Sequence, residues 1–145
     1  MMRFEHEETV ERPPEEVFAY LSDPANLPTW QGSVVETRKE SEGQTAVGSR
    51  FTEVRSLLGR KIESQLEVTE YVPGKTFSLR VVSGPVRMTV RHLLEPAPGG
   101  ATRIRVLGEG DPGGVVRMPG PILARAVKKQ AQGDFATLKR LLEAA

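Results

Sequence analysis

The stretch from Phe51 to His92 decides the fold, and it reads FTEVRSLLGRKIESQLEVTEYVPGKTFSLRVVSGPVRMTVRH. Apolar and polar residues alternate along it, which is the period of a β-strand with one covered face. Three turn-forming pairs interrupt this alternation, namely Leu58-Gly59, Pro73-Gly74 and Gly84-Pro85. The stretch therefore predicts four consecutive antiparallel strands joined by three tight hairpins.

Two-residue hairpin loops also predict which residues lie opposite each other in neighbouring strands. The predicted pairs are Leu57–Arg60, Arg55–Ile62, Glu53–Ser64 and Phe51–Leu66; Leu66–Val81, Val68–Leu79 and Glu70–Phe77; and Val81–Met88, Leu79–Val90 and Phe77–His92. Opposite residues share a face of the sheet. The three turns agree on one covered face, formed by Phe51, Ile62, Leu66, Val68, Phe77, Leu79, Val81, Val86, Met88 and Val90. The wet face carries Lys61, Glu63, Gln65, Glu67, Ser78, Arg80, Arg87, Thr89 and Arg91.

The residues before this stretch predict a strand and a helix. Alternation over residues 3–11 is typical of a first strand. The segment Pro13-Pro14-Glu15-Glu16 then begins a helix, because proline suits the first turn and carboxylates are favourable at the positive end of the helix dipole. Asp23-Pro24 ends that helix, and residues 24–31 leave room for one or two further helical turns.

The residues after this stretch predict one more strand and a long helix. Residues 101–108 alternate, with Ile104 and Val106 facing inward. The last 25 residues change to a helical period, which is long enough for a helix to cross the whole covered face. Its apolar stripe consists of Leu123, Val127, Ala131, Leu138, Leu141 and Leu142, with Phe135 beside it. The chain is therefore predicted to be an α+β protein.

The composition excludes several classes of protein. The sequence has 145 residues and no cysteine, so disulfide scaffolds, thiolate metal sites and cysteine nucleophiles are ruled out. Lys plus Arg is 20 and Asp plus Glu is 19, which gives no general attraction to nucleic acid or anionic membranes. No apolar run approaches the roughly 20 residues of a membrane span, and the first eight residues are mostly polar, without the apolar segment that a signal peptide has. We therefore expect a cytoplasmic protein that binds no nucleic acid.

Two patterns in the sequence are candidates for a cofactor site, and each has a plainer interpretation. Residues 108–113 match G-x-G-x-x-G, but that motif must open a helix inside a strand–helix–strand unit. Pro112 interrupts it and no strand follows, so residues 109–121 are predicted to be a loop. A metal site would have to combine four side chains without compact ligand spacing, namely His6, Glu8, His92 and Asp134. We expect neither a metal nor another cofactor.

Several segments resemble the START/Bet v 1-like (SRPBCC) superfamily, most closely its polyketide cyclase/dehydrase and lipid-transport branch. They are TVERPPEEVF at residues 9–18, LSDPANLPTW at 21–30, EVTEYVPGK at 67–75 and GGATRI at 99–104. The resemblance covers nearly the whole chain and implies one domain over residues 1–145. Its implied architecture is a helix-grip fold, in which a curved seven-stranded antiparallel sheet wraps around a long C-terminal helix. Two short helices would lie between strands 1 and 2.

The resemblance also limits the range of functions. Members of this superfamily hold lipids, polyketides, hormones and other apolar molecules in a hydrophobic cavity between the sheet and the last helix, and some are cyclases or dehydratases. The superfamily has no universal catalytic motif, so no catalytic residue is carried over. Binding of an apolar, lipid-, polyketide- or isoprenoid-like molecule is therefore the first hypothesis. An acid–base cyclase or dehydratase and a co-chaperone-like interaction module are the alternatives, and the protein is expected to be a monomer or a homodimer.

Polar residues on the covered face are the candidate functional residues. They are His6, Glu8, Glu53, Arg55, Ser64, His92 and Asp134. Burying a charge without a partner is very costly, so these residues must pair, reach solvent or line a wet cavity. Glu53 and Arg55 form either a solvated pair at a sheet edge or the polar mouth of a ligand site. His92 is either a satisfied core histidine or a catalytic group.

Three further side chains have alternative roles. His6 and Glu8 lie two residues apart on one strand face, so they form a proton-transfer pair or fray near the N-terminus. Asp134 on the last helix is predicted to anchor a ligand hydroxyl, to act as an acid or base, or to pair with Arg55 or a histidine. His92, Asp134, His6 and Glu8 are thus the catalytic candidates.

The predicted ligand site and its gate combine these residues with the covered apolar face. The predicted lining is Phe51, Glu53, Arg55, Ser64, Leu66, Phe77, Leu79, Met88, Val90, His92, Val127, Ala131 and Asp134. Apolar residues stand where turns are usually polar, at one hairpin tip and in the glycine-rich segment before the last helix. These residues, Leu57, Leu58, Val115, Val116 and Met118, are predicted to gate the cavity.

Overall fold

The structure is a computed structural model that describes residues 2–57, 59–111 and 119–145, with the side chain of Leu57 also left out. The elements are β1 (Met2–Val10), α1 (Pro14–Leu21), a 3-10 turn (Pro24–Asn26), α2 (Leu27–Trp30), β2 (Val34–Lys39), β3 (Arg50–Leu57), β4 (Arg60–Val72), β5 (Thr76–Ser83), β6 (Arg87–Ala97), β7 (Ala101–Asp111) and α3 (Gly120–Ala144). The predicted sequence of strand, two short helices, antiparallel strands and long helix is confirmed.

One antiparallel sheet contains all seven strands, in the order β1-β7-β6-β5-β4-β3-β2. The helix α3 packs along β1 on the covered side and also contacts α2. Its C-terminal end is fastened by Arg12, whose Nη2 donates to the carbonyl oxygens of Glu143 at 3.0 Å and Ala145 at 2.7 Å. The architecture is the helix-grip fold that the resemblance implies.

Two of the three predicted hairpin registers are correct. Between β3 and β4 all four predicted pairs are present, from Leu57–Arg60 to Phe51–Leu66. Gly59 has a φ of 78°, a conformation that glycine adopts without strain and that the tight turn requires. Between β5 and β6 the register is as predicted, but the ladder ends at Arg80–Thr89.

The predicted register between β4 and β5 is wrong near the turn that joins them. The strands β4 and β5 end at Val72 and Thr76, so three residues rather than two connect them. Glu70 therefore lies opposite Ser78, and a bulge between Val68 and Glu70 restores the predicted pairing further along. Ser78, which was predicted to be on the wet face, is only 1% exposed, and it donates to Glu70, which also pairs with Arg91.

The helix α3 buries a slightly different stripe from the predicted one. Leu141, assigned to the stripe, is 38% exposed, whereas Phe135 is 4% exposed and lies in the middle of the buried arc. Asp134 is buried next to it at 7% exposure. The helical period favours this arc, because Ala131, Phe135, Leu138 and Leu142 follow one another at intervals of four, three and four residues.

The strand β7 is longer than predicted and includes part of the glycine-rich motif. It continues to Asp111, so residues 109–111 form strand instead of the predicted loop, and they open no helix. Gly108 pairs with Phe4 of β1, and a Cβ at this glycine would lie 2.0 Å from the Phe4 ring. The glycine therefore makes room for the ring, which is a packing role and not a phosphate-binding role.

The concave face of the sheet has two ends that differ in burial. We call the first the closed end; its reference residues are Val10, Val68, Phe77, Ile104 and Leu138, all 2% exposed or less. We call the other the half-buried end; it lies toward the β3–β4 and β5–β6 turns. Its reference residues are Ile62, Val81, Met88, Val90 and Val127, all intermediate in exposure.

Candidate functional site

An aromatic cluster separates the two ends, with the Phe135 ring of α3 at its centre. The ring centroids of Trp30, His6 and His92 lie 5.0, 5.7 and 5.9 Å from that of Phe135. The ring of His92 also stacks on Phe77 at 5.8 Å. The end of α2, the strands β1, β5 and β6 and the helix α3 thus each contribute a ring to one interior region.

His92 is held as a neutral core histidine. It is 4% exposed, and its Nδ1 lies 2.8 Å from the carbonyl oxygen of Phe77. Burial lowers the pKa of His92 to about 4, although the hydrogen bond to Phe77 opposes the shift. The neutral ring must donate through Nδ1, because a carbonyl oxygen only accepts. Its Nε2 is then an acceptor.

Trp30 carries a polar atom without a polar partner. Its side chain is buried at 2% exposure, and its Nε1 makes no hydrogen bond within the described part of the chain. An indole N–H is a donor only, and a buried donor usually has a partner. Sequence reasoning used Trp30 only as a marker of the fold, because no pattern in the sequence indicates that its N–H lacks a partner.

His6 and Glu8 form the predicted pair. The Nε2 of His6 lies 3.3 Å from Oε1 of Glu8, and their side chains are 13% and 20% exposed. The ladder between β1 and β7 is continuous from Met2 to Val10, so this strand does not fray at these residues. The pair lies beside Phe135, within reach of the aromatic cluster. A histidine and a carboxylate in this arrangement can accept and deliver a proton.

Glu53 and Arg55 do pair, but they do not lie at a sheet edge. The strand β3 has β2 on one side and β4 on the other. The Arg55 guanidinium donates from Nε to Glu53 at 2.9 Å, from Nη1 to Ser33 at 2.7 Å and from Nη2 to Gln31 at 2.8 Å. All three nitrogens are therefore used within the protein, and they fasten the α2–β2 connection to β3.

Asp134 holds the same connection from the opposite side. Its Oδ1 accepts hydrogen bonds from the backbone N–H of Gly32 at 3.0 Å and from Nε2 of Gln130 at 2.9 Å. Burial raises the pKa of Asp134, while these two bonds and the charge of Arg55 oppose the rise. No hydrogen bond joins Asp134 to either histidine among the residues described, so the predicted pairing with a histidine is not found.

The remaining predicted lining residues differ in burial. Phe51, Leu66, Phe77, Leu79 and Ala131 are buried. Ser64, Met88, Val90 and Val127 are half-buried. Of the predicted gate, Leu58, Val115, Val116 and Met118 lie outside the described residues, and only the backbone of Leu57 is described.

Two hollows occur away from α3. One of about 120 Å³ lies beside the 3-10 turn and reaches Phe51 and Val68. The other, of about 340 Å³, is lined by Thr52, Glu63, Ser64, Gln65 and Ser83. Neither includes a residue of α3, so neither is the sheet–helix cavity that the resemblance implies.

The described segments contain neither a cluster of metal ligands nor a membrane-spanning helix. Across residues 2–57, 59–111 and 119–145, no three histidine or carboxylate side chains are grouped as metal ligands would be. None of the helices described is long and apolar enough to cross a bilayer. The site is thus built from rings, apolar side chains and a few paired polar groups.

The sequence and the structure were compared with known proteins. A family described as polyketide cyclase / dehydrase and lipid transport matches residues 1–143. No curated protein sequence matches the chain. A START superfamily protein from Mycobacterium smegmatis has a similar structure, with 17% identity, a TM-score of 0.75 and coverage of 99% of this chain and 96% of that one.

Two further solved structures share the fold. Ara h 8.0201 is 19% identical with a TM-score of 0.75, covering 99% of this chain and 98% of its own. The di-domain ARO/CYC BexL from the BE-7585A biosynthetic pathway is 22% identical with a TM-score of 0.74, covering 97% of this chain but 46% of its own. At these identities the likeness concerns the fold.

Proposed function

The chain belongs to the polyketide cyclase/dehydrase and lipid transport family, and from that premise we propose that it binds a largely apolar small molecule at the half-buried end. The family supports a role in hydrophobic ligand binding or in cyclisation. In this proposal the molecule lies between α3 and the strands β4 to β6.

The main support for this proposal is the difference in burial between the two ends of the concave apolar face. The side chains of Val81, Met88 and Val90 continue the strands that bury Phe77 and His92, yet they stay half-buried. Removing apolar surface from water stabilises by roughly 25 cal/mol per Å². A ligand that covers the part of these side chains still in water would gain that contribution, in addition to the contacts they already make with the core.

The polar groups of the site support a binding role more than a catalytic one. Arg55 and Glu53 are satisfied by each other and by the α2–β2 connection. His92 is held neutral by burial, and Asp134 is bonded to Gly32 and Gln130. We propose that the ligand contacts the half-buried members of the predicted lining, while the buried members form the wall behind them.

Native mass spectrometry of freshly purified protein tests the proposal. We expect a co-purified or added apolar molecule to remain bound to the wild type. The variant Val90→Phe fills the half-buried end and should lose the complex, whereas Thr89→Phe changes the neighbouring residue of the opposite face and should keep it. Equal retention by both variants, with both folded, would contradict the location.

A cyclase-type activity is the second candidate, and the His6–Glu8 pair is the observation that favours it. The pair is 3.3 Å apart and partly shielded from water, and in this candidate function it would take a proton from a bound ketone and return it. Exchange of the α-hydrogens of 1-tetralone into D2O, followed by NMR, measures such transfer. We expect His6→Gln to abolish any protein-dependent exchange; exchange that persists in this variant would exclude the pair.

A further inference from the structure

The unpartnered N–H of Trp30 lies at the inner boundary of the proposed ligand site. Its ring is 5.0 Å from that of Phe135, and the stripe of α3 continues from Phe135 through Ala131 to Val127 at the half-buried end. Nε1 is shielded from water and bonds to no oxygen or nitrogen of the described chain. Leaving a buried donor unpaired is costly, so such an atom needs an explanation.

A second polar atom without a protein partner belongs to another ring of the same cluster. His92 donates through Nδ1 to Phe77, which leaves Nε2 as an acceptor without a partner among the residues described. Both Trp30 and His92 contact Phe135 by their rings. The inner boundary thus combines one free donor and one free acceptor, both uncharged, with aromatic surfaces.

We propose that the Trp30 N–H is the polar anchor of the ligand and donates to an uncharged oxygen on a ring-bearing apolar molecule. This inference rests on the proposed function and deepens it, because it assigns a chemical class: a neutral cyclic ketone or phenol-like compound rather than a fatty acid or a plain hydrocarbon.

Occupation of this anchor requires a small rearrangement. Nε1 is not open to a water-sized atom in this conformation, and Phe135 packs against the indole at an interplanar angle of 61°. A neighbouring side chain must therefore move before a ligand oxygen reaches the N–H, and Phe135 is a neighbour whose ring packs against the indole. A ligand without an oxygen gains nothing from this movement, so the donor distinguishes between molecules of one shape.

The sequence offers a direct reporter, because Trp30 is its only tryptophan. A ¹⁵N-labelled protein therefore has one indole N–H cross-peak in its NMR spectrum. We would titrate it with 1-tetralone and with tetralin, which share a bicyclic carbon skeleton and differ by one carbonyl group. We expect 1-tetralone to move the indole cross-peak downfield, as a new hydrogen bond does, and tetralin to bind without that shift.

A variant measures the contribution of the donor. Trp30→Phe keeps an aromatic ring but removes the N–H, so we expect affinity for 1-tetralone to fall roughly three- to tenfold, the usual value of one neutral hydrogen bond. Affinity for tetralin should change by less than about twofold. If the variant does not fold, the wild-type cross-peak alone decides the inference.

The outcomes separate this inference from the proposed function. If both compounds bind but the indole cross-peak stays unchanged or moves equally with each, the anchor is overturned and the ligand site stands. If neither compound shifts any resonance of the protein, both proposals are overturned. A downfield indole shift with 1-tetralone alone supports both.

Discussion

The two ends of the concave face share their strands and their alternating pattern but not their packing. At the closed end, Val68 of β4 and Ile104 of β7 are 0% exposed. At the half-buried end, Ile62 and Val90, which belong to strands of the same sheet, keep part of their surface in water. Alternation therefore indicates which face is covered, while the helices decide how completely each end of that face is closed.

Removal of one large side chain from each end should give the largest difference. Leu138→Ala empties a fully buried position on α3 and should lower the free energy of unfolding by about 2–5 kcal/mol. Met88→Ala removes a chain of similar size from the half-buried end and should cost less than half as much. Urea denaturation of both variants measures the two values, and equal losses would show that the ends do not differ.

Acidification should destabilise the protein through His92, which belongs to the aromatic cluster between the two ends. Because burial lowers the pKa of His92 from 6.5 to about 4, the unfolded chain takes up this proton first as pH falls. The contribution of the neutral His92 ring to the free energy of unfolding is fully present above about pH 6.5 and is lost as the pH falls to about 4. The total loss is about 3 kcal/mol. Denaturation between pH 4 and 7 measures this slope.

A matched variant assigns that pH dependence to one residue. His92→Gln keeps a hydrogen-bonding group but does not titrate in this range. We expect the variant to be less stable than the wild type at pH 7 and to have a flatter dependence on pH below 6.5. A slope identical to that of the wild type would place the titration elsewhere.

Added bulk at Gly108 should disturb the β1–β7 wall next to the half-buried end. A Cβ there would lie 2.0 Å from the Phe4 ring, so Gly108→Ala should cost about 1–3 kcal/mol through overpacking. Gly133→Ala is the control, because nothing lies within 4 Å of its added Cβ and alanine favours a helix by roughly 1 kcal/mol. Thermal unfolding should rank Gly133→Ala above the wild type and Gly108→Ala below it; the reverse order would contradict this packing.

The smallest effect is expected at Asp134. Burial raises its pKa above 3.8, so the folded state keeps this proton longer than the unfolded state, and the associated stability is lost as pH rises from about 4. Asp134→Asn keeps an oxygen for Gly32 and cannot ionise, so it should change stability by no more than about 1 kcal/mol at pH 7. Its stability relative to the wild type should improve between pH 4 and 7; a relative decline would reverse the sign of the shift.

More of the fold than of the candidate site could be predicted from the sequence. The assumption of two-residue loops predicted the β3–β4 register correctly. It failed at the second turn, because Lys75 belongs to a three-residue loop and a bulge in β4 makes up for the extra loop residue. The pairing of His6 with Glu8 followed from strand alternation. The bonds of Arg55 to Gln31 and Ser33 did not, because they join segments distant in the sequence and depend on how α2 sits over the sheet.

Methyl NMR of the protein with added tetralin tests most directly whether the half-buried end is the ligand site. This compound offers only apolar contacts, so its position reports where uncovered apolar surface is available. We expect the methyl resonances of Val81, Met88, Val90 and Val127 to shift and saturate together, while those of Val10, Val68 and Leu138 stay in place. Shifts confined to the closed end, or no saturable shift at any of these residues, would contradict the account.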